Sequence, residues 1–210
     1  MNIIDSLSAR ETKTRLRILK YAAEQFSSTG YTNVSIAQFA AELKMSKATF
    51  YKFFKSKEEL VLAVIDAFYN KFEQEIDSFA DDSSLPTIEK IARFTALVRQ
   101  KFAAMQVSAV EDLRLAVPEA YSMLEERRKK VINGHLARLF REGADEGIIR
   151  SDIPPQLIAN ILLEALARME HPQYMAETGY TFNQMFELVF SVIMEGSLSE
   201  EGRHLTSKRE

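Results

Sequence analysis

The sequence predicts an all-α chain, with a three-helix head followed by a longer helical body. Apolar residues recur at i, i+3, i+4 and i+7 in successive segments, as Ile36, Phe39, Ala40 and Leu43 do. No alternating Val/Ile/Thr-rich run of strand length occurs, and the Pro residues fall between the periodic segments. At 210 residues and 46% hydrophobic composition, the chain can bury a sizeable core as one large or two small domains.

Charge divides along the same line. Residues 1–57 hold ten Lys/Arg against four acids, which leaves this part at +6 and the remainder at −9 within a total of −3. A basic head on an acidic body turns the molecule toward a polyanion and keeps the body off it. The absence of Cys removes disulfides, thiolate metal sites and cysteine nucleophiles together. With no leader pattern at the start and no apolar run approaching about 18 residues, a cytoplasmic chain with no membrane partner is expected.

Residues 1–9 show no clear period, and Arg10 is placed to reach along a polyanion as a flexible arm. From Thr12, the residues Leu16, Leu19, Tyr21, Ala22, Ala23 and Phe26 mark an amphipathic helix that Gly30 stops. Ser35 then caps a helix of about two turns, Ile36 to Leu43. Lys44 and Met45 break the pattern, and Ser46 caps a second short helix over Lys47 to Phe54, with Ala48, Tyr51 and Phe54 expected inward. Lys47, Thr49, Lys52 and Lys55 give it a cationic, hydrogen-bonding outer face, which suits a helix laid in a major groove. Ser56-Lys57-Glu58-Glu59 opens a longer helix to Phe79, whose first-turn amides stand with Lys55 and Lys57 to meet a phosphate.

In order, Phe26, Gly30-Tyr31, Val34-Ser35-Ile36, Ser46-Lys47-Ala48-Thr49-Phe50-Tyr51 and Phe54-Lys55-Ser56-Lys57-Glu58-Glu59-Leu60 resemble the TetR family of bacterial transcriptional regulators, over Thr12 to Leu62. Met45 and Ala48 depart from it, since the family usually has a small residue at the first and often Gly at the second. On this reading the DNA-contacting set is Ser35, Ser46, Lys47, Ala48, Thr49, Tyr51, Lys52, Lys55 and Lys57. Lys47 and Thr49 face base edges, and Tyr51, Lys52, Lys55 and Lys57 face phosphates. The resemblance also implies a body that holds a small-molecule effector between its helices and dimerises through its last two helices.

In the body, Asp81 to Pro86 is an acidic, Ser-rich linker, followed by helices over Ile88 to Met105 and Ser108 to Ala116 and a long one from Pro118 to about Asp145. The run Glu125 to Lys130 reads as a solvated face, because acids precede bases at helical spacing. A turn over Gly147 to Pro154 leads to a helix from Pro155 to Glu170, which His171-Pro172 ends. The last helix, about Tyr180 to Glu195, is too apolar for a surface helix and calls for a partner. Gly196 to Glu210 reads as a polar, disordered tail. The expected domains are therefore 1–57, 58–197 and a tail, 198–210.

Phe94, Phe102, Met105, Tyr121, Phe140 and Met169 are candidates for an effector pocket, and each also reads as ordinary core. Ile158, Leu162, Phe186, Val189 and Ile193 are the candidate dimer core. His135, His171 and His204 have no metal-ligand spacing, and no G-x-S-x-G, HExxH, P-loop or GxGxxG occurs, so neither an enzyme, a metal site nor a cofactor is expected. The expected function is a homodimeric DNA-binding regulator, a repressor released from a palindromic double-stranded operator by a small molecule. The alternative is a helix-turn-helix adaptor whose basic face meets an acidic protein.

Overall fold

A computed structural model describes residues 8–102 and 106–207. Among them the regular elements are helical, apart from one antiparallel bridge between Ile149 and Leu198. The chain forms two compact units, Met1–Asn70 with Ala104–Leu124, and Lys71–Ala103 with Glu125–Glu210.

The first unit contains α1 (Ala9–Thr29), α2 (Ile36–Glu42), α3 (Lys47–Tyr51), the first half of α4 (Lys57–Ala80), α6 (Val107–Ala116) and the start of α7 (Pro118–Val131). Helix α1 starts before the Thr12 that its periodicity marks. Ser8 accepts a hydrogen bond from the Glu11 amide, and the Glu11 carboxylate accepts one from the Ser8 amide, so the capping box recruits a further turn. Ser35 and Gln38 repeat this device at α2. The core is aromatic: Phe39 packs edge-on to Tyr21 and Phe26, with ring centroids 5.5 and 5.6 Å apart. Phe50 and Phe54 fill the space beneath α3, and both are buried.

The inward face of α3 is thus Phe50 and Phe54, whereas Ala48 and Tyr51 point outward. The energetic reason is size. A buried Phe contributes about 1.5–3 kcal/mol of transfer free energy, and Ala in its place would offer far less apolar area.

The second unit packs α5 (Thr87–Phe102), the rest of α7, α8 (Ala137–Asp145), α9 (Pro155–Met169) and α11 (Phe182–Ser197) around Phe94, Leu136, Phe140, Leu162 and Phe186. Helices α7 and α8 run on from one another through a π-turn, Ile132–Leu136, so the single long helix expected over this stretch carries one widened turn at the weak helix formers Asn133 and Gly134. A further helix, α10 (Pro172–Thr178), follows where the sequence marked only a stop. Pro172 starts it, Met175 is buried and Gly179 closes it at φ 70°.

The expected tail contains α12 (Glu200–Ser207). It is tied down by main-chain bonds from Ser199 N to Ile148 O (2.9 Å) and from Arg150 N to Ser197 O (2.9 Å), and by the Ser199 hydroxyl, which caps the helix at the Gly202 amide (3.0 Å). Gly202 is required by contact, because a Cβ there would lie 2.2 Å from the Ile148 carbonyl oxygen.

Candidate nucleic-acid interface

The turn between α2 and α3 is built by main-chain hydrogen bonds. Met45 N–H donates to Ala40 O (2.8 Å) and Lys44 N–H to Ala41 O (3.0 Å), which closes α2 as a Schellman motif. The left-handed residue is Lys44, at φ 52°, so Met45 does not have to adopt the glycine-like conformation. Ser46 caps α3, accepting from the Thr49 amide at 3.0 Å, and its hydroxyl shares a 2.9 Å hydrogen bond with the Thr49 hydroxyl.

Lys47, Ala48, Tyr51, Lys52 and Lys55 are exposed together on and just after α3, and Tyr51 retains half its accessible surface. Ser35 and Ser46 are exposed at the helix starts, and Thr49 is half-buried. Lys57 is set apart from this group. It is half-buried, with its ammonium 4.0 Å above the Tyr31 ring. Burial pushes the Lys57 amine down, while the Asp112 and Glu58 carboxylates oppose that shift.

The Tyr31 hydroxyl donates to Glu58 at 2.7 Å. Burial and this hydrogen bond raise the phenol well above its ordinary range, and the same bond holds the Glu58 carboxyl below its own. At the start of α4 the Ser56 hydroxyl accepts from Glu59 N, and the Glu59 carboxylate accepts from Lys55 N (2.7 Å). Two cations of α1 are used within the unit: the Arg15 guanidinium lies 5.1 Å from the Phe54 ring centroid, and Arg17 donates to Leu43 O.

Residues 18–64 match the family model described as "Bacterial regulatory proteins, tetR family". This span covers α2, the turn and α3, and it includes the capped starts and the Phe26–Phe39–Phe50 core. Residues 18–64 are a helix-turn-helix segment of the TetR-family type. The chain is a DNA-binding transcription regulator of the helix-turn-helix type. It is 23% identical over 163 residues to the "HTH-type transcriptional repressor DhaR" of Mycobacterium sp. (strain GP1), a match covering 72% of this chain and 78% of that one. It is 24% identical over 185 residues to the "Uncharacterized HTH-type transcriptional regulator YvaF" of Bacillus subtilis (strain 168), covering 88% and 96%. Its fold is that of a regulatory protein TetR from Rhodobacter sphaeroides (TM-score 0.69, 18% identity, 86% and 97% covered). It is equally that of a putative transcriptional regulator from Saccharomonospora viridis in complex with choline (TM-score 0.70, 19% identity, 90% and 100% covered).

The remaining candidates lie elsewhere. Phe94, Phe140 and Met169 are buried in the second unit, and Tyr121 is half-buried in the first. Met105 and the side chain of Phe102 lie outside the described residues. Of the candidate dimer residues, Ile158, Leu162 and Phe186 are spent inside the chain's own core, and Val189 and Ile193 are half-buried. The apolar side chains these helices leave exposed are Leu157 and Ile161 on α9, and Leu188 and Val192 on α11, at 49%, 51%, 50% and 71% of full exposure. The periodicity identifies the two helices but does not separate their inner from their outer rows, because both stripes are apolar.

Arg127, Arg128 and Lys130 of the basic run of α7 are engaged in ion pairs within the second unit. Arg127 and Lys130 meet Glu73, at 3.6 and 2.9 Å, and buried Arg128 bonds Glu170 at 2.6 Å and also pairs with Glu125. His135 stands 3.6 Å from Asp77, its imidazole held below its usual range by burial. No described helix is long and apolar enough to cross a membrane.

Proposed function

We propose that the chain is a homodimeric repressor that binds a palindromic operator through paired copies of α3 and releases it when a small molecule enters the second unit. The observation that carries this reading is the exposed set Lys47, Ala48, Tyr51, Lys52 and Lys55 around a capped, aromatically anchored α3, which is the chemistry of groove and phosphate contact. The repressor named among the relatives and the choline complex among the similar folds support a repressor that answers to a ligand.

The exposed apolar rows of α9 and α11 support pairing, since two such helix hairpins make a four-helix bundle with isologous contacts. One short reading helix covers only a few base pairs, and a pair supplies the affinity a genomic site needs. The ligand would act through α4, whose first half belongs to one unit and second half to the other, by favouring a head separation that cannot span both half-sites.

The test is selection of duplexes from a random-sequence pool by the full chain. A pseudo-palindrome with half-sites about one helical turn apart, or a multiple of it, is expected. An unenriched pool, with binding that depends on salt alone, would remove the sequence-reading function.

A further inference from the structure

Helix α6 belongs to the first unit although it lies far along the chain from α1–α3. One of its side chains bonds the connection that leads into the helix-turn-helix. The two carboxylate oxygens of Asp112 accept from the Thr32 amide (2.8 Å) and the Thr32 hydroxyl (2.6 Å). Thr32 lies in the connection from α1 to α2, three residues ahead of the cap Ser35. Gly30 opens the approach: at φ 88° it has no side chain, and a Cβ there would lie 2.8 Å from Asp112 Oδ2. A second tie, from Gln106 N to Ser27 O (3.2 Å), fixes the start of α6 against the end of α1. The Asp112 charge also acts on the Lys57 ammonium.

Both acceptor atoms of a carboxylate are thus committed to one residue at the entrance to α2. A charged, two-point hydrogen bond fixes direction as well as distance, which a single apolar contact does not. From this we infer that Asp112 is a positioning residue for DNA reading: it touches no DNA, but sets the angle at which α2, and with it the capped start of α3, leaves α1. The inference rests on the sequence-reading function proposed above. It differs from a purely structural role in what it changes, because a tilted α3 loses base contacts while its exposed lysines still find phosphates.

The test uses the full chain, the duplex that the wild-type protein enriches, and a scrambled duplex of equal length. Asp112→Ala is expected to lower affinity for the enriched duplex about tenfold and to bind the scrambled one as the wild type does. Thr32→Val removes an exposed hydroxyl and keeps the amide bond, and is expected to lower the same ratio about threefold. The double variant should fall no further than Asp112→Ala alone. Circular dichroism establishes that each variant is folded, and Thr32→Val carries the test if Asp112→Ala does not fold. An unchanged ratio in the folded variants, or additive losses in the double variant, overturns the role of Asp112. A wild-type chain that enriches no duplex instead removes the sequence-reading function, and this inference with it.

Discussion

Lys47 stands at the first turn of α3, exposed and beside the Ser46 cap, while Lys52 and Lys55 follow after the helix has nearly closed. On the proposed reading the first position reaches base edges and the later two reach the backbone. Lys47→Ala is expected to reduce the preference for the enriched duplex about tenfold, a loss of about 1–3 kcal/mol. Lys52→Ala should weaken enriched and scrambled duplexes alike and lower the slope of log affinity against log salt by about one. Fluorescence anisotropy titrations at several salt concentrations separate the two effects, and a reversed pattern would exchange the roles. Lys57→Ala should change the slope less than Lys52→Ala does, since its ammonium is held over Tyr31.

In the second unit the informative residue is Arg128, buried with Glu170. Burial raises the Glu170 carboxyl against the pull of Arg128, so the folded chain takes up this proton before the unfolded chain does. Stability therefore gains as pH falls toward the unfolded value and loses as pH rises through the folded one. Arg128→Met leaves the carboxylate buried without its strongest partner, and should cost about 3–5 kcal/mol at neutral pH. Chemical denaturation from pH 8 to pH 5 should show the gap to wild type narrowing as Glu170 protonates. A gap that is constant across this range would mean the loss is one of packing.

At the scale of elements, the sequence was most legible where structure is local. The caps at Ser35 and Ser46, the stop at Gly30 and the stripes of α5, α9 and α11 all follow from residues within a few positions of one another. The inward face of α3 was misread because Ala48, Tyr51 and Phe54 keep helical spacing as well as Phe50 and Phe54 do, and only the core beneath chooses between them. Helix α12 was illegible for the opposite reason. Its sequence is polar, and it is ordered by a glycine packed on a carbonyl some fifty residues earlier. Gly202→Ala forces that contact apart and should free α12, at a cost of about 1–3 kcal/mol. Limited proteolysis would register this as early cleavage after Ser197 in the variant alone, and equal protection of both proteins would mean the helix is held by other contacts. The Asp112–Thr32 bond escaped the sequence entirely, since an acid on one helix and a threonine in a distant loop share no pattern.

For the whole molecule, the decisive property is whether two copies pair, and α9 and α11 provide residues that distinguish pairing from folding. Phe186 keeps 2% of its accessible surface and stacks between Phe182 and Phe190, with ring centroids 6.5 and 5.8 Å away, so a charge there attacks the chain's own core. Leu188 and Val192, one turn apart on the same helix, face outward and contribute little to that core. Their exposure in a single chain has no folding benefit, and an apolar row of this kind is what an isologous interface buries. Leu188→Asp with Val192→Asp is accordingly expected to give a folded monomer, with unfolding within about 1 kcal/mol of the parent chain. Its affinity for a full pseudo-palindrome should fall to that for a half-site, because the second head no longer arrives with the first. Phe186→Asp should lose the fold itself. Sedimentation and duplex binding decide between the readings: a Leu188→Asp/Val192→Asp chain that remains a dimer and binds the full site normally would place the interface elsewhere on the molecule.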